Sequence, residues 1–412
     1  MSDDRGELAR QFLQQIAPAP DGGSALESMS APADRTEAFM PTAAAPERLR
    51  PDVERAAEKM ARGEELEPPE QFALEAIIIP DKRPAIDIKN GDYAVTHRDW
   101  LHLNEEAAKQ TIRPALPSIG RIELPDHPSL PYGGTGFVVG EGLLMTNRHV
   151  AEIFCAGLGG RGLVFRPGHR AGIDFKREAI GGSQFVEVKG IAMIHPYWDM
   201  ALLRVEGLPD GVAPLKLAIT DPDELIGRDV AVIGYPAFDP RNDARVQNQV
   251  FNNVYDVKRL MPGKLNGRAP IRSFGKDVPS AKHDSSTLGG ASGSAVLDIA
   301  SGEIVALHFA GIYLKTNYGV PTADLARDSR IADAGVNFTG SGQAGAGPWD
   351  EWWRSTEGAE ATAVGPAPAP TSAGVQSVTV AANAGAGGRW TIPIEISINV
   401  GEAVPAADGK SG

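Results

Sequence analysis

Between about residues 118 and 330 the chain is a succession of short apolar or alternating runs. GRIELP, GTGFVVG, GLLMTN, FVEVKGIAMI, DMALLRVE, DVAVIGYP, SAVLD and EIVALHFAG follow one another, with Gly, Pro, Asn or Asp between them. Runs of this length and spacing predict strands, and no helical pattern of 10–15 residues intervenes as a βαβ fold would need. The segment is therefore expected to be all-β, a barrel or a sandwich. Its one exception is TNRHVAEIF, which predicts a short helix.

The flanks have a different texture. Residues 1–50 are rich in Ala, Pro, Ser and acidic groups and predict a mostly disordered tail, with one short helix over Glu7–Ile16. Residues 51–117 read as a helical and extended arm: Pro51 suits a helix start, Glu58 lies four residues before Arg62, and Asn90-Gly91 marks a turn. Residues 331–374 read as a Gly/Ala/Pro-rich flexible linker interrupted by a cluster of Trp349, Trp352 and Trp353 that would dock on the β domain. In residues 375–412 the run RWTIPIEISINV alternates with period two and predicts a strand, with Pro393 placing it at an edge and either VQSVTVAA, as a hairpin, or a second chain as its partner.

Composition bounds the function. The formal charge is −13, from 40 basic and 53 acidic residues, which argues against a nucleic-acid partner. One cysteine, Cys155, excludes an internal disulfide framework and a multi-cysteine metal site. No run approaches the ~20 apolar residues that span a bilayer, and the acidic N-terminus does not read as a secretory signal. The expectation is a cytoplasmic protein with no membrane association, no metal and no cofactor.

TLGGASGSAVLD, residues 287–298, crowds a serine with small residues. Such a stretch is an ordinary turn unless the chain also supplies a base and a group to orient it. His149 lies just past the second of two strands joined by a glycine-containing turn, at the rim of the expected β domain; alone, a histidine there is more often structural. Asp199 stands between Trp198 and Met200 at the start of ALLRV. A carboxylate in such apolar company needs a partner if buried, although a turn or helix-cap role fits it equally well. The order His149, Asp199, Ser292 is that of double-barrel peptidases, not of subtilisin-type folds or α/β-hydrolases.

On GTGFVV…LLMTNRHV, DMALLRV and GGASGSAV…VALHFAG, the chain resembles the trypsin-like (chymotrypsin-fold) serine peptidases across about half its length. The resemblance implies two packed six-stranded antiparallel β-barrels. It implies Ser292 as nucleophile, His149 as general base and then acid, Asp199 as its orienting carboxylate, and the N–H groups of Gly290 and Ser292 as the oxyanion hole. With SGS at the nucleophile, the chain is most similar to the bacterial glutamyl-endopeptidase-like branch. There Thr287 and His308 would line a pocket for an acidic P1 side chain, while Phe309 and Gly311 would pair with an extended substrate. Trypsin-type zymogens mature by pairing a new N-terminus with an aspartate just before the serine; that position is Ala291 here. The expected activity is serine endopeptidase action on protein or peptide substrates. The N-terminal arm or a regulatory protein partner would control it, in a bacterial defence or signalling setting. The rival reading is an inert barrel acting as an adaptor.

Three further stretches complete the reading. CAGLGGRG (155–162) reads as an insertion loop, not a phosphate loop. His195 and His283 read as strand-end packing and an exposed loop position, not as metal ligands. DPRNDARVQNQ reads as a polar loop, and YDVKRLMPGK as a strand and turn with solvated Lys and Arg.

Overall fold

The computed structural model describes residues 82–239, 244–312, 316–340 and 345–363. The helices expected over Glu7–Ile16 and residues 51–79 and the C-terminal strand lie outside the described residues. Strand β1 (Ile86–Lys89) opens the description and turns through Asn90-Gly91 into β2 (Asp92–Tyr93). A 3-10 turn (Arg98–Asn104), helix α1 (Glu106–Ile112) and a second 3-10 turn (Arg113–Ser118) then lead into the β domain.

The first half is a closed six-stranded antiparallel barrel. It is built from β3 (Ile119–Glu123), β4 (Tyr132–Gly140), β5 (Leu143–Thr146), β8 (Gly172–Asp174), β9 (Phe185–Ile194) and β10 (Ala201–Val205), paired in the order β10-β5-β4-β3-β8-β9. Between β5 and β8 lie the predicted short helix, α2 (Arg148–Phe154), and a small ribbon of β6 (Cys155–Ala156) with β7 (Val164–Phe165).

The second half is an eight-stranded sheet. Its strands β11 (Asp229–Gly234), β12 (Arg259–Ser273), β13 (Lys276–His283), β14 (Ala295–Asp298), β15 (Ile304–Ile312) and β16 (Thr316–Pro321) run in the order β11-β14-β15-β16-β13-β12-β1-β2. Strand β11 also pairs with β12, Asp229 opposite Lys264 through Gly234 opposite Arg259, so six of these strands close a ring of pairings. The arm contributes β1 and β2 to this sheet.

The reason so many strands read as continuous apolar runs is that both their faces are buried. Alternate side chains of a strand point to opposite faces. In β4, Val138 enters the core inside the barrel, with Leu144, Val150, Ile173 and Leu203. Its neighbours Phe137 and Val139 enter a different core, shared with Met145, Leu202, Ile233, Leu260 and Leu307. That shared core joins the two halves. A third cluster, around Val230, Val232, Met261 and Val296, fills the other face of the second sheet.

Three local expectations are corrected. The stretch read as a polar loop contains helix α3 (Ala244–Phe251), with Val250 and Phe251 buried against the third cluster. Lys258 and Arg259, read as solvated, are fully buried. The Lys258 ammonium donates to the carbonyls of Leu116 (2.7 Å) and Phe175 (2.8 Å), and burial pushes its pKa down to about 8. Past β16, α4 (Thr322–Leu325) and α5 (Ser329–Asp333) precede α6 (Trp349–Ala363), a helix inside the segment read as linker. Trp349 of α6 is buried against Tyr197 and Trp198, and Trp353 against His195.

Candidate active site

His149 and Asp199, 50 residues apart in sequence, meet in the interior. Helix α2 begins immediately after β5 and carries His149 in its first turn. Asp199 ends the turn before β10, where Asn147 Nδ2 donates to its carbonyl at 2.9 Å. The carboxylate engages the histidine twice: Oδ2 lies 2.7 Å from His149 Nδ1, and Oδ1 accepts the His149 backbone N–H at 3.0 Å. Both side chains are buried, at 5% and 3% exposure. This grip fixes the ring's position and orientation together. A carboxylate facing Nδ1 keeps the proton there and leaves the lone pair on Nε2.

Ser292 sits in the segment between β13 and β14, fully buried. Its hydroxyl makes no hydrogen bond among the described residues, so a Ser292–His149 bond is not formed. Gly134 lies between the two elements: a Cβ built there would stand 2.7 Å from the Ser292 carbonyl oxygen and 3.0 Å from Val150, the residue after His149. The serine turn needs glycine at two places. Gly290 has φ +84° and Gly293 φ +85°, and a Cβ on Gly293 would come within 2.0 Å of the Thr135 carbonyl oxygen. Among the described residues, neither the Gly290 nor the Ser292 N–H has a hydrogen-bond acceptor.

The expected pocket residues fall on adjoining elements. His308, on β15, is fully buried, and burial holds its imidazole well below the usual histidine range, with His283 and His149 adding to the effect. Its Nδ1 lies 3.2 Å from His283 Nε2, and its Nε2 is buried with no partner. His283 is thus not an exposed loop residue: it ends β13 behind His308, and burial brings its pKa down to about 3. Thr287 is buried beside them, but its hydroxyl donates to Asn317 Oδ1 at 2.7 Å. The Asn317 amide is itself fixed by donation to the Ser285 carbonyl at 2.6 Å. The Thr287 hydroxyl proton is therefore committed to Asn317. Phe309 and Gly311 follow His308 on β15. The pairing of β15 with β14 runs from Ile304 to Leu307, His308 exchanges backbone hydrogen bonds with Gly293 and Ser294 at 2.9 Å each, and past it the strand continues beside β16.

The arm reaches this wall. Arg83 makes a two-point ion pair with Asp284, Nε to Oδ1 at 2.8 Å and a second guanidinium nitrogen to Oδ2 at 2.7 Å. The Arg83 carbonyl accepts the Ser286 hydroxyl at 2.7 Å. On the other side, Phe274 at the β12–β13 turn lies under Arg148, with the guanidinium 3.8 Å from the ring centroid. Cys155 is buried and its thiol is pushed up to about 12, which leaves it inert as a nucleophile. Among the described residues, no group of three or more His, Cys, Asp or Glu side chains is placed to hold a metal ion. Among them, too, no helix is long and apolar enough to cross a membrane.

Three site residues were not legible from sequence: Thr135, Asn317 and His283. Thr135 reads only as a strand residue and Asn317 carries no signal of its own, since what they bond is remote in sequence. The nearest signal was the hydroxyl in GTGFVV, a polar side chain in a run that is otherwise glycine and apolar.

The chain is similar to known proteins. Residues 134–307 match the family model of the trypsin-like peptidase domain. A probable serine protease of Lysobacter enzymogenes is 28% identical over 360 residues, covering 78% of this chain and 91% of that protein. Among solved structures, the active form of the Rv3671c protease from M. tuberculosis aligns at 19% identity with a TM-score of 0.39, covering 58% of this chain and 92% of that one. Deg5 aligns at 22% identity with a TM-score of 0.38, covering 54% and 91%. Residues 134–307 thus form a trypsin-like peptidase domain, and the chain is a serine endopeptidase.

Proposed function

We propose that Ser292, His149 and Asp199 carry out peptide-bond hydrolysis through an acyl-enzyme. The observation that carries this reading is the two-point grip of Asp199 on His149, side chain and backbone together. It supports a tautomer with the Nε2 lone pair available to take the Ser292 proton as the hydroxyl attacks the scissile carbonyl. The same nitrogen then returns the proton to the leaving amine. Water repeats the cycle on the ester. The N–H groups of Gly290 and Ser292 would receive the oxyanion. The serine–histidine bond absent from the free protein would form with substrate, as catalytic hydrogen bonds commonly tighten only in the complex.

The pocket favours an acidic P1 side chain through one donor. His308 Nε2 is aimed into buried space without a partner, and an N–H there would meet a carboxylate; Thr287 shapes the wall. Past His308, whose backbone is taken by Gly293 and Ser294, β15 would pair with the substrate backbone at Phe309 and Gly311. Control by the N-terminal arm is supported by the Arg83 contacts to Asp284 and Ser286, which tie the arm to the strand end leading into Thr287.

Fluorophosphonate labelling tests the triad. Labelling and hydrolysis of fluorescein-casein should both vanish in Ser292→Ala; a folded wild-type protein that takes no label would support the adaptor reading instead. A peptide-library cleavage profile tests the pocket, and cleavage that ignores Glu and Asp would remove His308 from it. Deleting residues 1–80 and then 1–84 tests the arm, since only the second deletion removes Arg83.

A further inference from the structure

Three successive peptide groups form the turn that holds the serine, and each is pinned by its carbonyl. The Gly289 oxygen accepts the Ala237 N–H at 2.7 Å. The Gly290 oxygen accepts the Thr135 hydroxyl at 3.0 Å. The Ala291 oxygen accepts the Ser294 N–H at 3.0 Å. In a trans peptide the N–H points opposite to the C=O. Pinning the Gly289 and Ala291 oxygens therefore directs the Gly290 and Ser292 N–H groups to the other side, where neither meets an acceptor among the described residues. The middle peptide joins these two donors. Its orientation sets the angle between them, and it alone of the three has its carbonyl held by a side chain.

Thr135 is well placed for that task. It lies in β4 of the first barrel, fully buried. Its hydroxyl oxygen accepts the Tyr235 N–H at 3.2 Å, which leaves its single proton for the Gly290 carbonyl. Its backbone N–H donates to the Ser292 carbonyl at 2.7 Å, so one residue grips the turn on both sides of Ala291. Its own carbonyl is fixed by the Thr146 hydroxyl at 2.7 Å. Ala291, buried between these contacts, has no side-chain hydrogen-bonding group; the peptide's other end is held by its N–H, which donates to the Leu288 carbonyl at 3.0 Å.

We infer that Thr135 is a positioning residue for the oxyanion donors: its hydroxyl fixes the Gly290–Ala291 peptide, locking the serine turn from the opposite barrel. The inference rests on the reading of Gly290 and Ser292 as those donors. It makes the turn preformed in the folded chain, with the strap supplied by β4 and not by a liberated N-terminus.

The test separates binding from reaction. Fluorophosphonate labelling of the full chain yields a binding constant and a maximal inactivation rate. Thr135→Val, close in size but without a hydroxyl, should lower the maximal rate by about tenfold or more, with the binding constant within about twofold. Thr135→Ser should restore the rate, a rescue that a packing role would not give. An unchanged rate in Thr135→Val, or a loss confined to the binding constant, overturns the inference. If Thr135→Val does not fold, Thr135→Ala and Thr135→Ser are compared at a temperature where both are folded, and equal rates overturn it. Ser292→Ala distinguishes the levels: continued labelling of that variant means the site reading itself has failed, whereas its loss beside an unaffected Thr135→Val removes only the role of Thr135.

Discussion

The chain buries two histidine–aspartate pairs within a few residues of each other, and they are built oppositely. His149 presents Nδ1 to Asp199 at 2.7 Å, whereas His195 presents Nε2 to Asp328 at 3.1 Å. The other nitrogen decides what each ring can do. His195 Nδ1 accepts the N–H groups of Tyr197 (3.0 Å) and Trp198 (2.9 Å), so its proton must sit on Nε2 and its lone pair is spent. The Asp199 contact leaves the tautomer of a base on His149. The same two residue types thus make a strut in one place and, in the function proposed above, a general base in the other. The strut lies at the start of the turn that ends in Asp199, so the two are mechanically adjacent yet chemically distinct.

The largest expected effect separates them by activity. Asp199→Asn should lower kcat by about 10⁴-fold, through the wrong His149 tautomer, while the protein stays folded. His195→Gln should leave kcat per folded molecule within about threefold, because its ring touches no reacting atom. Casein hydrolysis normalised to folded protein by near-UV circular dichroism checks both. A loss in His195→Gln as deep as that in Asp199→Asn would collapse the distinction.

Stability should show the reverse order. Asp328 accepts from His195 Nε2, from Trp353 Nε1 at 2.8 Å and from the Arg330 N–H at 3.0 Å. Removing its charge from so enclosed a place should cost about 3 kcal/mol in urea unfolding. Little or no shift in the midpoint for Asp328→Asn would mean that the strut carries no load.

How much of this was legible in sequence depended on the distance over which each feature is specified. The barrel strands were readable because their apolar runs and turn residues are local, whereas the strand boundaries at His149 and Asp199 were visible but their pairing was implied only by the family resemblance. Thr135 was not readable, since its partner Gly290 lies 155 positions away and nothing near GTGFVV announces it. Lys258 and Arg259 were misread as solvated for the same reason. Two carbonyls brought from Leu116 and Phe175 solvate the Lys258 ammonium, and only the assembled fold supplies them. Helix α3 was hidden by its polar composition; Val246 and Val250, four apart, were its only periodic signal.

The pH dependence of stability sharpens the comparison through the rings that burial keeps neutral. Desolvation lowers the pKa of His195, His283 and His308 below 6.5. The unfolded chain then binds more protons than the native one as pH falls below 6.5, so stability is fully present above that pH and declines beneath it. For His283 the decline continues to about pH 3. The melting temperature should therefore be level near neutrality and fall from about pH 6.5 downward. His283→Gln should flatten that slope by up to one proton. A slope unchanged in the variant would show that the His283–His308 contact does not hold both rings neutral.

The smallest effect probes whether the strut reaches the base at all. Trp353 edges onto the His195 ring, centroids 5.2 Å apart, and donates its indole N–H to the same Asp328 oxygen. Trp353→Phe keeps an aromatic edge but loses the hydrogen bond, worth about 1 kcal/mol net. That should lower the melting temperature by a few degrees and leave kcat alone. The outcome matters because α6 carries Trp353, and beyond α6 the chain runs on toward its C-terminus. If kcat in Trp353→Phe fell further than the loss of folded protein explains, the disturbance would have passed through His195 to the Asp199 turn. The two histidine–aspartate pairs would then be one coupled device, with helix α6 as its input.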